Sequence, residues 1–148
     1  MSIVTYDVDA AVRRLIAHAQ PKSTGRCAEF VRRAIEAGGI ILHRTGSAKD
    51  YGPSLRAAGF EPVASYGPFL KGDVVIIDGF FRQSTAHGQV LHDHKHGHMA
   101  MYDGWRWISD FAQRNHTAPG YPGNEYDLAR PHFTVYRYIS SSSSARLF

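Results

Sequence analysis

The 148-residue chain contains a single cysteine, so no disulfide can close within it, and the lone thiol is either packing or chemistry. It lacks any apolar run approaching the roughly 20 residues of a membrane span. Its start, Met1-Ser-Ile-Val-Thr-Tyr-Asp7, has no basic stretch followed by an apolar block, so no standard signal peptide is present and synthesis as a cytoplasmic product is expected. Acidic excess is missing too: 17 Lys and Arg against 13 Asp and Glu leave a net charge of +4, which nine histidines can raise in acid. Such a surface favours anionic partners, among them nucleic acid, murein and lipid head groups. What is present argues against disorder, since 43% of residues are apolar and 12% aromatic, and the length suits one domain rather than two.

Asp7 can cap a helix whose Val8, Ala11, Val12, Leu15, Ile16 and Ala19 form one stripe, with Pro21 ending it. After a loop from Lys22 to Arg26, a second helix sets Cys27, Phe30, Val31, Ala34 and Ile35 on one face and stops at Gly38-Gly39. A short third helix is predicted over residues 51–58, where Pro53 suits the first turn. From Gly72 the pattern becomes strand-like: residues 73–78, then 98–102 and 106–111 around a turn at Asp103-Gly104, then 133–139. Helices first and strands later, without alternation, predict an α+β fold with an antiparallel sheet. One domain over residues 1–139 and a Ser-rich tail over 140–148 are expected. Residues 82–97 read as a polar, His-rich loop. Residues 113–131 read as a second loop that either borders a groove or connects strands.

Cys27 falls in the first turn of its helix, where the macrodipole and free backbone N–H groups favour a thiolate, and Arg26 beside it acts the same way. Equally, Cys27 is the first apolar residue of the stripe. A nucleophilic thiol needs a base, and that base needs a third group to orient it. His98 is the best base, and the register of its hairpin decides whether Asp110 can orient it. A two-residue loop pairs Tyr102 with Trp105 and sets His98 opposite Ser109. A three-residue loop pairs Tyr102 with Arg106 and sets His98 opposite Asp110. The longer loop is the expectation, with His98, Ala100, Tyr102, Ile108 and Asp110 on one face. Arg26, Tyr102 and Trp107 are then candidates for contacting substrate.

His92-Asp-His-Lys-His-Gly-His98 invites a second reading, a metal-binding or metal-dependent hydrolase, because alternate imidazoles in an extended chain project on one side. It lacks the helical His-Glu-x-x-His arrangement, so no metal is the first expectation, with His87, His92, His94 and His96 solvated. His18, His43, His116 and His132 carry no pattern beyond structural histidines. Arg13-Arg14 and Arg32-Arg33 lie on polar helix faces and read as solvated rather than as a nucleic-acid site.

Three segments resemble one family in order: Thr24-Gly-Arg-Cys-Ala-Glu-Phe-Val-Arg-Arg through Gly39, Leu70-Lys-Gly-Asp-Val-Val-Ile-Ile77, and Gly97-His-Met-Ala-Met-Tyr-Asp-Gly104. They are similar to the nucleophile helix, the following strand and the base-bearing strand of CHAP and NlpC-like cysteine peptidases, papain-related enzymes that cut amide bonds in peptidoglycan. The resemblance implies a papain-like α+β fold, with Cys27 as nucleophile, His98 as base, Asp110 as orienter, and no cofactor. Arg26 stands where the NlpC-like branch has an acidic residue, and the upstream tyrosine-tryptophan-glycine segment of that branch is missing. The Gly-x-Cys form is closer to CHAP domains and to small amidase effectors that type VI secretion systems inject into rival bacteria. Its implied partners are peptidoglycan, an immunity protein and secretion machinery, with action in the cell wall of a target bacterium; a phage-type lysin is the neighbouring possibility.

Overall fold

A computed structural model describes residues 5–84, 90–114 and 117–139; the start of the chain, His87, His116 and the tail from Ser140 lie outside the described residues. Helix α1 (Val8–His18) begins where the Asp7 carboxylate accepts the Ala10 N–H at 2.9 Å, and it buries Ala11, Val12 and Leu15. Helix α2 (Cys27–Ala37) packs along it, burying Val31, Ala34 and Ile35. A 3₁₀ turn (Ala48–Asp50) leads into α3 (Gly52–Ala57), one residue shorter at each end than expected.

The strands are β1 (Phe60–Val63), β2 (Val74–Ile77), β3 (Phe80–Ser84), β4 (Val90–His94), β5 (His98–Tyr102), β6 (Trp107–Ile108) and β7 (Phe133–Tyr138), with α4 (Asn124–Ala129) before the last. The main sheet runs β1-β7-β2-β5-β6 with every pair antiparallel, and β3 and β4 form a separate two-stranded sheet. The expected α+β architecture with an antiparallel sheet is therefore observed. Strand β2 is central and wholly buried because both faces of the sheet are covered. Val74 and Ile76, with Met99, Met101 and Ile108, face α1 and α2; Val75 and Ile77, with Ala100, Trp107 and Val135, face Ala118, Tyr121 and Tyr126. Two-sided burial removes the alternation that marks a half-solvated strand. Among the described residues no helix is long and apolar enough to cross a membrane.

Several expectations are corrected. Residues 82–97 are not simply a loop, since β3, β4 and a tight turn occupy most of that segment. Strand β1 and helix α4 were not predicted: β1 holds only four residues, one of them Pro62, and α4 lies among turn-forming residues. The hairpin loop is longer than either alternative, pairing Tyr102 with Trp107 and Met101 with Ile108. Asp103 builds it, its carboxylate accepting the N–H groups of Trp105 at 2.8 Å and Arg106 at 2.7 Å. One residue of slip exchanges faces, so Ile108 joins Met99 and Met101 while Trp107 joins Ala100. Trp105, at the tip, is 83% exposed. Arg32 is not a solvated charge either; it is buried, with Nη1 on both carboxylate oxygens of Glu36 at 2.9 and 3.1 Å.

One buried ion pair ties β7 to the start of β2. Asp73 is fully buried, and Arg137 donates Nε to one carboxylate oxygen and Nη2 to the other, each at 2.9 Å. The Leu70 N–H adds a third donor at 2.8 Å. Arg137→Ala would leave a buried carboxylate without its cation, so an equilibrium denaturation curve should show a loss of about 3 kcal/mol. A change under 1 kcal/mol would mean that water replaces the guanidinium there.

Candidate active site

Cys27 is the first residue of α2, a free and half-buried thiol. The helix has no side-chain cap of its own, because Arg26 at the capping position makes none. Asp110 supplies the anchor from across the molecule. Its Oδ2 accepts the Thr24 N–H at 2.5 Å and the Thr24 hydroxyl at 2.8 Å, its Oδ1 accepts the Ser109 hydroxyl at 3.0 Å, and its carbonyl accepts the Gln20 N–H at 2.7 Å. The loop that delivers the cysteine is thus clamped at both ends.

His98 starts β5 and is 6% exposed. Gly97 leads into it with φ of +70°, and a Cβ there would strike the Ile77 carbonyl, so the backbone can turn tightly enough only with glycine. The imidazole hydrogen-bonds the Cys27 sulfur, and its Nε2 lies 2.6 Å from Oε1 of Gln113. The Gln113 amide nitrogen donates to the Gly120 carbonyl at 2.7 Å, which fixes which end of the amide faces the ring. An amide oxygen only accepts, so Nε2 carries a proton and Nδ1 is left for the sulfur.

The expected placement of Asp110 behind the ring is therefore corrected: Gln113 holds that position. The cause is the short β6. After Ile108 the chain reverses, with Ser109 N–H on the Phe111 carbonyl at 3.0 Å and a bridge from Ile108 to Ala112, so Asp110 leaves the sheet and Gln113 swings under the imidazole. Asp110 still acts on the ring through its charge.

These contacts set the protonation states. Burial pushes the Cys27 thiol up, but the charge and hydrogen bond of His98 and the Met99 backbone N–H outweigh it and hold the thiol below its ordinary range. Burial pushes His98 down, and the Cys27 charge, the hydrogen bonds to Cys27 and Gln113, and the Asp110 charge together raise it above the ordinary imidazole value. For Asp110, burial raises the carboxyl while the Thr24 and Ser109 donors lower it more. The two shifts run in opposite directions, toward the thiolate on Cys27 and toward the imidazolium on His98.

The pair opens into a cleft of about 360 Å³ bordered by Ser23, His94, Pro122, Glu125 and Tyr126. Residues 122–126 of the second predicted loop thus border a groove. Tyr126 is buried against His98, ring centroids 6.1 Å apart, and burial followed by the Cys27 charge pushes its phenol well above the usual value, so it stays protonated. A larger hollow of about 510 Å³ near Tyr66, Tyr121 and His132 is bordered by no cysteine. Of the expected substrate contacts, Arg26 adjoins Cys27 but turns its guanidinium to Glu29 at 2.5 Å. Tyr102 and Trp107 do not border the cleft; they pack against Phe69, tilted and edge-on with centroids 5.6 and 5.2 Å away, at the other end of β5. Gln113, Thr24 and Tyr126 were not predicted as site residues, since no periodicity distinguishes them.

Of the His-rich tract, the side chain of His92 lies outside the described residues, and His94, His96 and His98 do not converge. His94 Nε2 meets Glu125 at 2.9 Å, His96 Nδ1 meets the Ser47 hydroxyl at 2.6 Å, and His98 meets Gln113. Among the described residues no group of three or more His, Cys, Asp or Glu side chains is arranged to hold a metal ion.

No family model and no curated protein matches the chain. Solved structures do. The chain is similar to one from the type VI native effector-immunity complex Tae3-Tai3 of Ralstonia pickettii, at 47% identity and TM-score 0.74, covering 90% of this chain and 100% of that one. The selenomethionine form of that complex matches at 48% identity and TM-score 0.69, over 86% of this chain and 99% of the other. Identity of this order, spread over the whole length of the relative, means that the chain belongs to the family of the type VI effector Tae3.

Proposed function

We propose that this protein is a papain-like cysteine amidase that cuts a peptide bond in the stem peptides of bacterial peptidoglycan, delivered as a type VI effector. The observation that carries the reading is the half-buried thiol at a helix N-terminus, bonded to a buried imidazole whose far nitrogen is locked by a fixed amide, at an open cleft. The Cys27 thiolate attacks the scissile carbonyl carbon, and the carbonyl electron pair moves to oxygen. The first backbone N–H groups of α2, which have no intrahelical partner, face the developing oxyanion, the Cys27 N–H foremost. Collapse breaks the C–N bond as the His98 imidazolium gives its proton to the leaving amine. Water, deprotonated by the now neutral His98, releases the acyl group and restores the thiolate. Gln113 keeps the ring in register through both proton transfers. Asp110 holds the helix terminus in place and favours the imidazolium by its charge.

Membership in the Tae3 family supports the effector role and an immunity protein as partner, one that would seat over the cleft and block it in the producing cell. The site of action would be the cell wall of a recipient bacterium.

Purified sacculi test the reading. Digestion should release fragments with new amine and carboxyl ends, stop after one equivalent of iodoacetamide, and continue in EDTA. Digestion that survives alkylation would overturn it. The pH profile carries a sign that can be checked as well. With the thiol lowered and the imidazole raised, kcat/KM should form a plateau bounded on the acid side by protonation of Cys27 and on the alkaline side by deprotonation of His98. In His98→Ala, the acid limb of the alkylation rate should move up toward the ordinary thiol value, about 8.5.

A further inference from the structure

Another hollow, about 350 Å³, adjoins the Cys27–His98 cleft and shares Gly25 and Cys27 with it, but is bordered by Arg26, Arg32, Arg44, Tyr51 and His96 instead of His98. Three guanidinium groups and one carboxylate, Glu29, lie along it. Two of the three are occupied: Arg26 by Glu29 at 2.5 Å and Arg32 by Glu36 at 2.9 Å. Glu29 is further drawn to Arg33 at 3.0 Å. Arg44 is exposed and has no hydrogen bond or ion pair among the described residues. Its loop is nonetheless fixed, because the Ser54 hydroxyl donates to the His43 carbonyl and the Thr45 hydroxyl to the Ser47 carbonyl, each at 2.8 Å. Ser47 in turn is held by His96 at 2.6 Å. A free cation on an ordered loop, beside the nucleophile, is preorganised for an anion.

The two hollows differ in sign. The cleft that contains His98 carries the carboxylates Asp110 and Glu125, whereas the Arg44 hollow carries the guanidinium groups. His98 protonates the leaving amine, so the amine half of the substrate departs through the His98 cleft and the acyl half lies over the start of α2, toward Arg44. We propose that Arg44 binds a free carboxylate on the acyl-donor half of the substrate and thereby selects peptides that carry one close to the scissile bond. This rests on the amidase reading and names its specificity.

The test uses two synthetic peptides identical except that the acyl-donor carboxylate is free in one and amidated in the other. Wild type should favour the free acid about tenfold in kcat/KM, the size expected for one exposed charge-assisted hydrogen bond. In Arg44→Ala the preference should fall toward one, chiefly through KM; Arg44→Lys should keep most of it, and added salt should shrink it in wild type. Equal cleavage of both peptides by wild type, or an unchanged preference in Arg44→Ala, would overturn the proposal. Titration calorimetry on Cys27→Ala reads the same preference without turnover, and equal affinities there would also overturn it. Cleavage by Cys27→Ala at the wild-type rate would instead sink the amidase reading, leaving the binding preference to be judged by calorimetry.

Discussion

Cys27→Ala is expected to lower kcat/KM on peptidoglycan fragments by on the order of 10⁴-fold or more, because the variant has no thiol beside the imidazole to form the acyl-enzyme. Cys27→Ser should be nearly as inactive, since a hydroxyl is not ionised by an imidazole in the way this thiol is. The fold should survive, as the replaced side chain is small, half-buried and at a helix start. His98→Ala should lose a comparable factor, and the double variant little more than either alone, because thiolate and imidazolium act as one unit. Activity in Cys27→Ala above a tenth of wild type, with an unchanged melting profile, would remove the cysteine from the mechanism.

The second large effect separates Gln113 from Asp110. Gln113→Ala should cost about 10²-fold in kcat/KM, because an imidazole that has lost its Nε2 acceptor can rotate and expose either nitrogen to the sulfur. Stability should fall as well, since the Gly120 carbonyl loses its donor. Gln113→Glu keeps the acceptor and adds a negative charge, so the alkaline limb of the pH profile should move upward while part of the activity returns. Asp110→Ala should behave differently. Its main loss is the anchor for the Thr24 N–H and hydroxyl, so thermal stability should drop by about 1–3 kcal/mol, and activity should fall through a displaced helix terminus. If Asp110→Asn shifts the alkaline limb further than Gln113→Ala does, the carboxylate and not the amide orients the ring.

Those two residues show where reading the chain alone reaches its limit. The hydrophobic stripes of α1 and α2, the Asp7 cap and the glycine stop at Gly38 follow from local spacing, and so does the placement of Cys27 in a first turn. Strand β2 is legible as an apolar β-branched run. The positions of Cys27 and His98 were also open to inference, since a lone thiol at a helix start and an imidazole at a strand start are both local features.

The third partner was not open to it, because it depends on loop length at the 103–106 turn. Asp103 lengthens that turn by holding two backbone N–H groups, and one residue of slip exchanges the faces of β6. With β6 ending at Ile108, the chain doubles back and carries Asp110 to the base of α2 and Gln113 to the ring. A buried glutamine in a polar stretch leaves no periodic trace. The covering of the second sheet face by Tyr121 and Tyr126, and the wall α4 gives the cleft, are likewise settled by packing against Val75, Ala100 and Val135.

Composition and short-range pattern thus determined the class of fold, the start of α2 at Cys27 and the start of β5 at His98, because each is written in neighbouring residues with a fixed period. The tertiary structure alone decided which side chain holds the imidazole, which carboxylate anchors the helix and where the free guanidinium stands. Contacts across 15 residues, as between His98 and Gln113, or 84 and 86, as between Asp110 and the loop before α2, are chosen by turn geometry and burial, and such a hydrogen bond has no counterpart in local spacing.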